Sequence, residues 1–471
     1  MNIGKKILLS LVMIALLSLF FFTLEYREKI ANAAITRHQL SLLETLDVFT
    51  TTEQRLTRLL KSENRRAWLH LATLYADTDA DTAFALAEYF RDSNNLNTAK
   101  LWYQAAIRQQ HVEARIALAD IYYQQKNYAG IKPLLQPVLG NDEALVIAYK
   151  LAMRQGDLTF IADYQYQLAH GENKQFYQEL QQYGVFGLSE GQRILQQSVD
   201  CPIDVQLFAT NLAGLRHAQQ LSLAFEHDVL AQHFCLRAPK YIPENALNCQ
   251  HQADEKISCN ASVWLGRKDI GTRYLGVIVE QGGANVDNGI MYLDQQDNID
   301  VLVHELSHFI GFVDEYPLPN QHQKCQQVQQ ASFAHNLVVL ADYYQGKRAD
   351  VRAKVLSQVP WRHLIKASTP ILSSHEKGWQ LATPKTHQAE IGLFNAASCD
   401  KQANIQAFKP VANRTKLQYF ELGLPKSYID IMMLAPRRYL MPSYHYNMSR
   451  DIAKQGDSVK AREVLQVTQF D

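Results

Sequence analysis

Residues 301–316 read Val-Leu-Val-His-Glu-Leu-Ser-His-Phe-Ile-Gly-Phe-Val-Asp-Glu-Tyr. Two histidines four residues apart share one face only on a helix. Val301, Leu302, Val303, Leu306, Phe309 and Ile310 are apolar, so this helix is predicted to be mostly buried. Gly311 falls where such a helix would stop and the chain turn. On this geometry His304 and His308 can present two imidazole nitrogens to one metal ion. Glu305, one residue on, sits where it can take a proton from a water beside that ion. The plainer alternative, an amphipathic helix with two surface histidines, fits poorly with such apolar neighbours.

A catalytic zinc usually takes three ligands from the protein, and a helix at this spacing supplies two. The chain must therefore turn back, which Gly311 permits because glycine adopts positive φ. Asp314 lies six residues after His308, and Glu315 follows it. The run from His304 to Asp314 resembles the metzincin signature H-E-x-x-H-x-x-G-x-x-H, with Asp314 in place of the last histidine. Asp314-Glu315-Tyr316 also resembles the IgA-peptidase-like metallopeptidase family. Val359-Pro360-Trp361-Arg362-His363, Gly392-Leu393-Phe394-Asn395-Ala396 and Phe408-Lys409-Pro410 are similar to segments of that family. The resemblance implies a zinc endopeptidase on an α+β zincin-type domain, with His304, His308 and Asp314 on Zn2+ and Glu305 as general base. It leaves Glu315 as the alternative third ligand, or as a partner that orients a ligand histidine. It also implies a methionine turn beneath the metal. Met441, in Tyr439-Leu440-Met441-Pro442-Ser443-Tyr444, is the best candidate, and Ile431-Met432-Met433 is the runner-up. Tyr444 or Tyr446 could reach an oxyanion, although packing is their plainer role.

The rest of the chain frames this domain. From about 66 to 190 the sequence is helical and repetitive. Leu86-Ala87, Leu118-Ala119 and Leu151-Ala152 are spaced by 32 and 33 residues, and polar breaks follow at Asp92–Asn95, Gln124–Asn127 and Gln155–Asp157. A helix–turn–helix unit of this period resembles tetratricopeptide repeats. Tyr89, Trp102, Tyr103, Tyr122 and Tyr123 read as packing between stacked helices. After Gly187 strand-like runs begin, at Pro202–Phe208, Tyr274–Glu280 and Ile290–Leu293. Asp297 or Asn298 can cap the metal helix, and capping explains the acidic cluster Asp294, Asp297 and Asp300 better than calcium does.

At the N-terminus, Lys5-Lys6 precede an uncharged run from Ile7 to Leu24. That length just spans a bilayer, and the lysines predict a cytoplasmic N-terminus. Ala31-Asn32-Ala33 would fit a signal-peptide cleavage site, but Glu25, Arg27, Glu28 and Lys29 intervene, which favours an uncleaved anchor. All six cysteines lie after residue 200, and an even count in an exported domain suggests disulfides. Pairing by sequence neighbour gives Cys201–Cys235, Cys249–Cys259 and Cys325–Cys399. Lys+Arg and Asp+Glu both total 47, which gives no footing for nucleic acid.

The expected order is a transmembrane anchor (1–24), a helical connector (25–65), an all-α tetratricopeptide-like repeat domain (66–190), an α+β zincin-like catalytic domain (197–452) and a tail (453–471). The expected protein is an anchored periplasmic zinc endopeptidase whose repeats recruit a protein partner or substrate. The alternative is an envelope scaffold with binding repeats and an inactive zincin domain.

Overall fold

The computed structural model describes residues 65–187, 202–250, 256–265, 267, 269–319, 322–400 and 404–466. The expected anchor, and the connector up to residue 64, lie outside the described residues. Among the described residues no helix is long and apolar enough to cross a membrane. Two compact units are present. One runs to Leu151 and includes Gly171–Asn173; the other comprises Ala152–His170 and everything from Lys174 on.

The first unit is all helical. Its helices α1 (Arg65–Tyr75), α2 (Ala80–Asp92), α3 (Leu96–Arg108), α4 (Val112–Gln124) and α5 (Ile131–Leu135) are followed by α6 (Asp142–Gln155). Small residues govern the packing. Ala83 and Ala87 of α2 and Ala99 and Ala106 of α3 are fully buried in one cluster with Leu86 and Tyr103. Without large side chains at these positions, the helices can approach closely. Each polar break contains a residue in the left-handed region, Asn94, Lys126 or Gly156. Asn95 then caps α3, accepting from Thr98 N–H, and His111, after a further left-handed residue at Gln110, caps α4, accepting from Ala114 N–H. Trp68 and Tyr89 pack on each other with rings 5.6 Å apart, and Tyr89, Trp102, Tyr103 and Tyr122 all pack in or against this cluster, as expected of them.

The second unit opens with α7 (Leu158–His170) and α8 (Lys174–Gln182) and then builds a five-stranded sheet. Its strands are β1 (Ile203–Ala209), β2 (Phe234–Tyr241), β3 (Tyr274–Val279), β4 (Asn285–Asp287) and β5 (Ile290–Asp294), in the order β2-β1-β3-β5-β4. Helix α9 (Leu212–Phe225) connects β1 to β2, and the short α10 (Glu244–Leu247) follows. All neighbours are parallel except β4, which folds back on β5. Asn288 and Gly289 both have positive φ and make the two-residue turn of that hairpin. The α+β expectation is thereby corrected. The first sheet is mainly parallel, and a parallel neighbour needs a long crossover, here α9, so this part is α/β.

Strand β2 was not expected. Arg237, Pro239 and Lys240 break its apolar pattern, and the register with β1 shifts across Ala238–Pro239. Proline is tolerated at such an edge bulge because no ladder N–H is needed there. Gln206 Nε2 donates to the Ala238 carbonyl at 2.7 Å, satisfying the disrupted backbone.

Helix α11 (Ile299–Phe309) follows β5. Beyond it come two three-stranded sheets. One has the order β10 (Phe394–Ala396), β11 (Ile405–Lys409), β6 (Val338–Ala341); the other has β7 (Tyr343–Tyr344), β9 (Gly378–Leu381), β8 (Leu372–His375). Three of the segments singled out by resemblance meet here: Trp361 Nε1 donates to the Gly392 carbonyl, and Gly392 N–H donates to the Pro410 carbonyl. Helices α12 (Arg348–Ser357), α13 (Lys426–Met433), α14 (Tyr444–Lys454) and α15 (Ser458–Gln466) complete the unit. Residues 453–466, set apart in sequence as a tail, fold onto α14, where Ser449 Oγ donates to the Ala461 carbonyl.

Cys249–Cys259 and Cys325–Cys399 are disulfides, as sequence-neighbour pairing expects. Cys235 is also disulfide-bonded, and its expected partner Cys201 lies outside the described residues. Disulfides of this number fit an oxidising, extracytoplasmic compartment. The sequence separations are 74 for Cys325–Cys399 and 10 for Cys249–Cys259. On loop-closure entropy, Cys325→Ala/Cys399→Ala should cost about 4 kcal/mol and Cys249→Ala/Cys259→Ala about 3 kcal/mol. Denaturant unfolding of the two variants checks this ranking.

Candidate metal centre

Asn298 caps α11, its side chain accepting from Asp300 N–H and Val301 N–H. The acidic cluster is taken up by structure. Asp294 accepts from Gly282 N–H and Gly283 N–H, Asp297 accepts from Asp294 N–H, and Asp300 pairs with Lys416 at 2.7 Å. The apolar stripe packs inward as predicted, with Leu302, Val303, Leu306 and Phe309 buried, and it carries His304 and Glu305 into the interior with it.

The helix ends in a Schellman turn. Gly311 has φ +87°, Gly311 N–H donates to the His308 carbonyl, and Phe312 N–H donates to the Ser307 carbonyl. This turn aims one of the candidate ligands. It brings the Phe312 carbonyl to 3.1 Å from His308 Nδ1. The Lys416 carbonyl lies 2.9 Å from His304 Nδ1 in the same way. A carbonyl only accepts, so each Nδ1 carries a proton, which leaves each Nε2 as the nitrogen that a metal could take in place of a proton.

Both Nε2 atoms face Asp314. Its Oδ1 lies 3.2 Å from His304 Nε2 and 3.3 Å from His308 Nε2. That oxygen is buried and makes no well-angled hydrogen bond among the described residues. Donors about 2.1 Å from a tetrahedral zinc ion stand roughly 3.4 Å apart, so Asp314 Oδ1 stands from each histidine nitrogen at the separation of two donors on one ion. His304, Glu305 and His308 also place ligand-type atoms within 4.8 Å of one another, and this cluster can hold a metal ion. Glu305 is the more distant carboxylate, 3.9 Å from His308 Nε2.

The electrostatics follow from four titratable groups in one buried spot. Burial raises the Glu305 carboxyl, against the lowering pull of His308 and His304. Burial opposes the His308 cation, but Asp314 outweighs it and pushes the pKa up to about 9 when no metal is bound. Burial would raise Asp314 too, yet the two imidazoles hold it well below the usual carboxylate range. The Tyr316 phenol, raised by burial and then by the neighbouring carboxylate, hydrogen-bonds Asp314.

Glu315 points elsewhere. It is fully buried and bonded to Asn336, Lys409, Thr415 and Tyr428, none of them a candidate ligand. Direct contact with a ligand histidine, one of its expected roles, is therefore not made. Met441 supplies backbone: its N–H donates to the Phe309 carbonyl at 2.9 Å, and its carbonyl accepts from Tyr274 Oη. Tyr439 to Met441 thus lies against the end of α11. Met432, in the runner-up segment, is buried in α13. Tyr444 is buried in the cluster with Trp264 and Tyr292, and Tyr446 is exposed, so packing describes Tyr444 as the plainer reading held. The carbonyls of Phe312 and Lys416 and the hydroxyl of Tyr316 were not assigned roles from sequence.

A scan against protein-family models finds no match for this chain, and no curated protein matches its sequence.

Gly311 is the position at which the centre tolerates least change. A Cβ there would lie 2.4 Å from Tyr439 Cβ and 2.5 Å from the Tyr439 carbonyl oxygen. Left-handed backbone adds a further penalty for any L side chain. Gly311→Ala should destabilise the second unit by about 2–5 kcal/mol, read by thermal or denaturant unfolding.

Proposed function

We propose that this chain is a zinc-dependent endopeptidase of an extracytoplasmic compartment, with a metzincin-like site in which His304, His308 and Asp314 hold the metal. The observation that carries the reading is the buried Asp314 Oδ1 facing both Nε2 atoms at 3.2 and 3.3 Å. When bound, zinc would acidify a water and polarise the scissile carbonyl. Glu305 has the position of the general base, buried beside His308 Nε2 but farther from it than Asp314. Its carboxylate would accept the water's proton and return it to the leaving amine. The burial that raises its pKa brings a carboxylate nearer to the value a base needs at neutral pH. Tyr316, bonded to Asp314, would hold that carboxylate in orientation.

The anchor at residues 7–24 would tether the enzyme to a membrane with Lys5-Lys6 inside, and the helical unit would recruit a protein substrate or partner. Its stacked helices resemble repeat domains that bind peptides along a helical face. The scaffold alternative differs in one measurable respect: it predicts bound metal without hydrolysis.

Glu305→Ala should retain zinc and fold while losing about a hundred- to ten-thousandfold in peptide hydrolysis. Zinc content, circular dichroism and turnover of a peptide library on the full chain test this. Turnover close to wild type would remove Glu305 from the mechanism, and a wild-type protein that binds zinc but cleaves nothing would favour the scaffold.

The ligand assignment has its own test. Under chelator competition, Asp314→Ala should lose zinc at a lower chelator concentration than Glu315→Ala does. The opposite ranking would remove Asp314 from the proposed ligand set.

A further inference from the structure

Glu315 takes no part in the proposed proton transfer, yet it is the most heavily bonded carboxylate near the site. Asn336 Nδ2 and Tyr428 Oη donate to its Oε1 at 3.0 and 2.5 Å. Lys409 Nζ and Thr415 Oγ1 donate to its Oε2 at 3.0 and 2.8 Å. Its own N–H donates to the Leu417 carbonyl at 2.8 Å. Thr415 and Leu417 flank Lys416, whose carbonyl accepts from His304 Nδ1. Glu315 thus grips the chain on both sides of the residue that aims His304. Asp314 precedes Glu315 directly, so the same anchorage fixes where the Asp314 carboxylate can stand.

We infer that Glu315 is a positioning residue for the metal centre: its buried carboxylate, together with its own N–H, sets both the His304 ring and the Asp314 oxygen without touching the metal. The inference rests on the metal-site reading. A buried ion pair serving the core alone also needs partners for its remaining lone pairs, but those partners could lie anywhere in the core. Here the second oxygen-bound donor, Thr415, and the backbone bond to Leu417 bracket the ligand-aiming carbonyl instead. Both oxygens are occupied by donors, so Glu315 has no lone pair turned toward the histidines. Lys416 reinforces the arrangement. Its Nζ donates to Asp300 Oδ1 in the first turn of α11, tying the gripped segment to the helix that carries His304.

Glu315→Gln keeps the shape but replaces one acceptor with a donor that faces donors. In the full chain, it should weaken zinc binding about ten- to a hundredfold in chelator competition, the usual effect of losing an outer partner. The visible absorption spectrum of the cobalt-substituted protein should shift as well, because the ligand geometry changes. Tyr428→Phe removes one donor and leaves the ion pair; it should shift both readouts in the same direction by less, and it decides the matter if Glu315→Gln does not fold. A purely structural role would lower thermal stability in both variants and leave zinc affinity and the cobalt spectrum at wild-type values, and that result would overturn the inference. The two readings fail differently. A wild-type protein that binds neither zinc nor cobalt ends the metal-site reading and the inference with it. A metal-binding wild type with unmoved variants ends the inference alone.

Discussion

Helix α11 stops at Phe309 and the chain reverses through Gly311, and the arrangement of the candidate metal centre depends on that reversal. The turn lends the Phe312 carbonyl to His308, sends Asp314 back to face both Nε2 atoms, and leaves room only for hydrogen where Tyr439 crosses. A helix supplies two side chains on one face by its own periodicity. It cannot supply a third donor opposite them, so the third must come from chain that doubles back. The positive φ of one glycine is therefore a condition for three converging donors, and the backbone bonds that close the turn are the same ones that stop the helix.

Aromatic rings line the back of this turn, with Arg273 and Arg438 against them. Tyr274 and Phe309 stack with ring centres 4.1 Å apart, and His335 lies between Phe312 and Tyr439 at 5.7 and 4.7 Å. Burial, with Arg438 nearby, lowers the His335 pKa to about 4, so the ring is neutral at pH 7. The buried His335 ring therefore adds no charge of its own behind the site. In such surroundings a carboxylate interacts more strongly with a cation than it would in water.

The centre was largely legible because its logic is periodic. The spacing of His304 and His308 and the apolar stripe determine which face turns inward, and counting from Gly311 reaches Asp314. Direction after the turn is not periodic, which is why Glu315 was open to a ligand role that its four donors now occupy. The carbonyls of Lys416 and Phe312 have no side-chain signature and could only be found in space. In the sheet, the β-branched runs marked β1, β3 and β5, whereas β2 was hidden by Arg237, Pro239 and Lys240. Missing that strand and the crossover before it is what made the region read as α+β. The helical repeats were visible because Leu-Ala pairs return at near-constant spacing and are buried in alternate helices, α2, α4 and α6.

Ser398 links the metal centre to the redox chemistry of the chain. It sits beside Cys399, its hydroxyl donates to the Asp314 carbonyl, and its own carbonyl accepts from Leu318 N–H. The Cys325–Cys399 bond thus clamps the segment that presents Asp314, from a cystine more than seventy residues around the loop. A newly made chain in a reducing compartment would lack that clamp. Formation of the bond in an oxidising compartment would then add a second restraint, beside the Gly311 turn, on the segment that presents Asp314. On the peptidase reading, this would delay full assembly of a potentially destructive activity until the protein had left the compartment where its own neighbours are made.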